Sequence, residues 1–206
     1  MSGRWAWVYP AGVVRRTVAV MGRLILVCLV PGLPLAAQAE VSETVEQRHY
    51  TAELRNGASL LAALNRASPI RERGRIFHGY TRWFVEWRFH WRDGADGCEI
   101  SQVSTALRVT VTLPRLRTND ADATARFETY VAALETHEMG HVQVARDAAR
   151  DIDAGLRTLP PSPTCGALEQ AANALGHRRL EAARAVERRY DRDTGHGRTQ
   201  GAWLAR

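Results

Sequence analysis

The chain has 206 residues, with 28 basic residues, all of them arginine, against 22 acidic ones, for a formal net charge of +6. Its first 39 residues hold four arginines and no acid, so the remainder carries twenty-four arginines against 22 acidic residues, a net of only +2. That balance argues against a nucleic-acid binder, and the one long apolar run is too short to span a bilayer comfortably.

Residues 1–39 read as a secretory signal peptide. They have a basic start, a short apolar core from Leu24 to Leu35 and the small-x-small ending Ala37-Gln38-Ala39. Cleavage after Ala39 leaves residues 40–206 as one exported domain, periplasmic or secreted, with no stable membrane span. Met21-Gly22-Arg23 followed by the same core is a compact signal peptide by itself, which points to Met21 as the start. Beyond the leader only Cys98 and Cys165 remain. An even pair in an oxidising compartment predicts one disulfide.

Residues 41–52 are polar and partly β-branched and predict an edge strand. Leu60, Leu61 and Leu64, with Ser59 as N-cap, predict a short helix that Ser68-Pro69 ends. Residues 80–92 alternate strictly, with Trp83, Val85, Trp87, Phe89 and Trp91 on one face. Asp93 to Gly97 is a turn. A second strand carries Val103, Thr105, Leu107, Val109, Val111 and Leu113 on one face, and Pro114 is expected to stop it. The two strands should pair as an antiparallel hairpin. The tryptophan stripe reads as core before it reads as a ligand platform. His78 and His90, on or near this sheet, read as solvated or hydrogen-bonded rather than as site residues.

A long helix follows, from Ala123 to Ile152 or Gly155. Its stripe Phe127, Val131, Leu134, Glu138, His141, Ala145, Ala148, Ile152 recurs at helical spacing. Leu159 to Pro163 is a stiff linker. A second helix spans Gly166 to Tyr190 and should pack on the first, with residues 190–197 as a loop. The expected fold is therefore α+β: an antiparallel β-hairpin or small sheet packed on two long helices, the first a zincin-like motif helix.

That helix contains His137-Glu138-Met139-Gly140-His141. Residues four apart share a helix face, so the two imidazoles can hold one metal ion while Glu138 projects beside them. This is the zinc-metalloprotease signature of two ligands and a carboxylate base, and Zn2+ is the expected cofactor. Polar groups on a face otherwise apolar need partners, and an ion supplies one. Gly140, unfavourable in mid-helix, suggests close approach of another element. A catalytic zinc needs a third protein ligand. The Gly-x-x-His continuation is missing, because Val144 and Asp147 stand there. Glu169 or Glu181 on the next helix, Asp191 or Asp193 after it, and His196 between two glycines are the candidates, and His196 is favoured.

His-Glu-Met-Gly-His-Val-Gln-Val-Ala, the Cys98 and Cys165 pair, Trp83-x-x-x-Trp87 and Tyr190-Asp191-x-x-Thr194-x-His196-Gly197 together resemble a bacterial family of predicted secreted zinc-dependent proteases, whose domain has no assigned function. The resemblance covers nearly all of the exported part. It implies export and a single zinc, and it strengthens His196 as a ligand.

The expectation is a zinc-dependent hydrolase, most simply a metallopeptidase acting on a peptide or protein. Glu138 serves as general base towards a zinc-activated water, and Tyr190 as a second oxyanion donor. Asp147, Asp191 and Asp193 are expected to orient the imidazoles. The alternative is a non-catalytic, zinc-stabilised protein that binds a cell-envelope partner, which would have no use for a base at Glu138.

Overall fold

The computed structural model describes residues 41–205 except 56 and 73. The leader and the cleavage point after Ala39 lie outside the described residues. In chain order the elements are β1 (Ser42–Glu53), α1 (Leu60–Ala67), β2 (Ile70–Glu72), β3 (Arg75–Phe77), β4 (Tyr80–Gly94), β5 (Gly97–Arg117), α2 (Ala121–Arg157) and α3 (Cys165–Thr194), then a 3-10 turn at Arg198–Gln200. The α+β class follows as expected.

Strand β5 is the middle of a three-stranded sheet of order β1-β5-β4. It pairs antiparallel with β4, from Tyr80↔Thr112 to Gly94↔Gly97, which is the hairpin legible in the alternating sequence. Strand β1 lies at the edge and runs parallel to β5, from Ser42↔Ala106 to Glu53↔Arg117. Pro114 does not stop β5. Strand β4 ends opposite Thr112, so from there on β5 is hydrogen-bonded on one side only. A proline is tolerated at such an edge, where its missing N–H breaks no ladder. Strands β2 and β3 form a separate two-stranded hairpin that the sequence reading did not contain.

The sheet buries one face against α2. Val103, Thr105, Leu107, Val109, Val111 and Leu113, the predicted inner face of β5, are all buried. Leu107, Val109, Val111 and Leu113 meet Phe127, Leu134, Val142, Ala145 and Ala149 of α2 and Leu60 and Leu64 of α1 in one apolar cluster, while Val103 packs with Ile152, Leu156 and Ala172 in a second. Each such aliphatic side chain removed from water contributes about 2 kcal/mol. Ser59 caps α1 by accepting from the Ala62 N–H, Asp120 caps α2 at Ala123, and Thr164 caps α3 at Ala167.

The tryptophan stripe is largely packing. Trp83 and Trp87 are half-buried against α3, where their indole N–H groups donate to Glu187 Oε1 (2.7 Å) and Asn173 Oδ1 (3.1 Å). A register shift between His90 and Trp91 breaks the alternation, and Trp91 is exposed. His90 is exposed on the other face. Cys98 and Cys165 form the expected disulfide, joining the start of β5 to the start of α3. No helix among the described residues is long and apolar enough to cross a membrane.

Candidate metal centre

Both long helices run further than predicted. Helix α3 continues through Asp191 to Thr194, where the αL residue Gly195 (φ 57°) ends it, so the stretch from Tyr190 is not a loop until then. The extension decides what faces the motif. On α3, Glu187 and Asp191 are four residues apart and share the face that meets α2.

His137, Glu138 and His141 are all buried on α2. The Nε2 atoms of the two imidazoles lie 3.3 Å apart. Asp191 Oδ1 lies 3.3 Å from the first and 3.2 Å from the second. These three residues form a group whose ligand atoms all fall within 4.8 Å of one another. His196 Nδ1 is 3.3 Å from the same Asp191 oxygen, one step outside that group, with its Nε2 3.5 Å from Arg75 Nη1. His196 holds φ 54°, flanked by Gly195 and by Gly197 at φ 83°, so three successive left-handed residues turn the chain back over the site. Gly197 has no room for a side chain, because a Cβ there would sit 3.0 Å from both His137 Cγ and Ala202 Cβ.

Whether these residues suit a metal can be judged from their outer nitrogens. His137 Nδ1–H donates to Gln200 Oε1 at 3.0 Å, which leaves Nε2 as a lone pair. His141 Nδ1 is buried, has no formed hydrogen bond, and faces Glu187 Oε1 at 3.5 Å. A proton directed at that carboxylate leaves its Nε2 as a lone pair too. Two imidazole lone pairs and a carboxylate oxygen then converge with no proton among them, a donor set of two nitrogens and one oxygen that fits a divalent zinc-like ion. Burial pushes the His141 imidazole down, but the neighbouring carboxylates of Asp191 and Glu187 outweigh it and raise it to about 9. Burial raises Asp191, but its bonds to His137 and His141 win and hold it well below the usual carboxylate range.

Glu138 lies beside this cluster. Burial raises its proton affinity, against a lowering by the Thr81 hydroxyl. That hydroxyl donates to Glu138 Oε2 at 2.7 Å and approaches the Glu138 carbonyl at 3.2 Å. Gly79 lets the chain entering β4 pass close to the carboxylate, since a Cβ there would lie 2.5 Å from Glu138 Oε1.

Tyr190 stacks flat on His137, with ring centroids 5.0 Å apart and planes at 10°. Its hydroxyl donates to the His137 carbonyl (3.1 Å) and accepts from Gln200 Nε2 (3.1 Å). That hydroxyl is thus engaged in holding the motif turn rather than aimed at a substrate, as an oxyanion donor would be. The bare Cα of Gly140 is what admits it, because a Cβ there would collide with the tyrosine ring and hydroxyl. Two expected orienting groups lie elsewhere: Asp147 is exposed and bonded to Arg150 and Gln143, and Asp193 is exposed and pairs with Arg189. Of the acids expected as alternative ligands, Glu181 pairs with Arg184 in solvent and Glu169 is exposed. His78 is bonded at both nitrogens, to Tyr130 Oη (2.7 Å) and Asn65 Oδ1 (2.8 Å), as a hydrogen-bonded rather than a ligating histidine.

Residues 47–197 match the model of a family described as bacterial protein of unknown function (DUF922). The chain belongs to that family. The DUF922 span includes every donor named above except Gln200, and the family's description names no protease. No curated protein and no solved structure matches the chain. In this DUF922 chain, Thr81, Glu187 and Gln200 serve the site without having been singled out by sequence reasoning. For Glu187 a signal existed, the Glu187-x-x-x-Asp191 spacing on one helix face. Nothing local marks Thr81 or Gln200.

Proposed function

We propose that this DUF922 chain is an exported, zinc-dependent hydrolase, most simply a peptidase, with Glu138 as its general base. The observation that carries the reading is the meeting of the two imidazole Nε2 atoms and Asp191 Oδ1 within 3.3 Å of one another beside a buried glutamate. His137, His141 and Asp191 would hold the ion, and His196, seated against Asp191, is the residue positioned to join or brace them. A bound zinc would supply Lewis acidity and a water acidic enough to ionise near neutral pH.

The chain's own groups do the rest. Glu138, its proton affinity raised by burial, accepts a proton from the attacking water and returns it to the leaving amine. Thr81 fixes one of its oxygens, so the carboxylate need not reorganise as the proton arrives. Glu187, itself held by the Trp83 indole, orients His141, while Gln200 and Tyr190 orient His137.

The test is metal analysis together with turnover of casein or a peptide library. Glu138→Gln should retain metal and lose activity by about 10²- to 10⁴-fold. Equal turnover by wild type and variant would remove Glu138 as the base. Asp191→Ala should lose metal, with His196→Ala losing less. Full metal retention by Asp191→Ala would return the third position to His196.

A further inference from the structure

The candidate centre opens on a cleft of about 760 Å3, walled by β3, β4, α2, α3 and the C-terminal segment. Its deep acids are engaged: Glu138 with Thr81, Glu187 with Trp83, and Asp191 with the imidazoles. Its rim holds one exposed acid among the described residues, Glu72, across the β2–β3 hairpin from Arg75, and is otherwise cationic in a particular way. Arg75 lies over the Phe77 ring (5.1 Å), Arg82 over Tyr80 (5.8 Å) and Arg198 over Trp203 (5.4 Å). These are the cation–π contacts found among the described residues, and all six partners line this one cleft. No ion pair among the described residues engages any of the three arginines.

Stacking on a ring orders a guanidinium without neutralising it, and leaves the N–H edge of Arg82 and Arg198 free, while Arg75 also reaches His196 Nε2 at 3.5 Å. That edge matches a carboxylate through two parallel hydrogen bonds. The exposed rings of Tyr80 and Trp203 add apolar surface between the charges. A long polyanion would call for a basic stripe along the surface, whereas here the cations ring a single cleft on a domain of nearly balanced charge.

We infer that this cleft takes polypeptide with aspartate or glutamate side chains flanking the segment that lies over the centre. The inference rests on the peptidase reading of the same site and names its substrate class.

The test uses the metal-replete chain carrying Glu138→Gln, so that peptide is bound but not consumed. Fluorescence anisotropy compares a labelled Asp/Glu-rich peptide, its Asn/Gln counterpart and a single-stranded oligonucleotide of equal charge. The acidic peptide should bind about tenfold more tightly than its amide counterpart at low salt, and the preference should shrink as salt is added. Adding Arg82→Gln and Arg198→Gln together should abolish the preference, while Arg126→Gln, exposed away from this cleft, should leave it intact. Equal binding of the two peptides, a preference that survives the double substitution, or tighter binding of the oligonucleotide would each overturn the inference. The peptidase reading fails separately, if wild type binds the acidic peptide and leaves it whole. Wild type that cleaves acidic and amide peptides equally well would overturn the specificity alone.

Discussion

Gly140 shows how one residue can constrain the site without touching a ligand. Ordinarily Gly→Ala inside a helix gains about 1 kcal/mol from propensity. Here the added methyl would meet the Tyr190 ring and hydroxyl, and overpacking of that kind costs about 1–3 kcal/mol. Gly140→Ala should therefore lower the thermal midpoint, and a variant melting above wild type would contradict the packing. His78 gives a second residue-scale expectation. Burial pushes its imidazole down to about 4, so it stays neutral in the fold while an unfolded chain takes up a proton near pH 6.5. Its contribution is complete above about pH 6.5 and is lost as pH falls towards about 4. Between pH 7 and pH 5 wild type should lose on the order of 1 kcal/mol more stability than His78→Gln, after allowance for partial exposure. Denaturant melts at both pH values measure the difference. Reading the sequence found His137, Glu138 and His141 because three chemistry-bearing residues fall inside one helical turn and a half. His196 is favoured over Asp191 in the sequence for its two flanking glycines, and with α3 expected to end at Tyr190 both fall in a loop. In a loop the four-residue relation of Asp191 to Glu187 carries no geometric meaning.

Periodicity recovered the elements wherever one face is apolar. The inner face of β5 and the stripe of α2 were legible residue by residue, and both are buried as read except for the half-buried Val131. The end of α3 was not, since its inward face there consists of Glu187, Asp191 and Thr194, half-buried polar groups held by polar partners rather than by apolar neighbours. Strands β2 and β3 have three residues each, too few for alternation to register. The disulfide also belongs at this scale. It closes a separation of 67 residues and fastens the tip of the β4–β5 hairpin to the first turn of α3. Cross-linking a loop of that length is worth about 4 kcal/mol in the chain-entropy account. Replacing both Cys98 and Cys165 by serine should lower unfolding free energy by about that amount while leaving metal content at its wild-type value. Loss of metal along with stability would mean that the crosslink also sets the α2–α3 geometry at the centre.

Among the described residues, two long helices pack on one face of the three-stranded sheet, and the candidate centre lies where the helices meet. Its donors come from positions 137, 141 and 191, so an ion bound there would favour the folded chain over the unfolded one. At free zinc about a thousandfold above its dissociation constant the gain is about 4 kcal/mol. Chelator should lower the melting temperature of wild type and have little effect on a His137→Ala, His141→Ala double variant. An equal chelator response in both would place the ion elsewhere. The proposed export has its own test at this scale: if the leader is removed as proposed, amino-terminal sequencing of the chain recovered outside the cytoplasm should begin at Glu40.

The chain folds back on itself after Thr194. Gln200, which fixes the His137 tautomer, comes sixty-three residues after its partner, and Gly197 packs under the same ring. A polypeptide threaded N-terminus first therefore presents its paired histidines long before it can lock them. On the proposed reading, a chain cut short before residue 200 would carry both histidines yet lack the groups that seat His137, and so would be inactive.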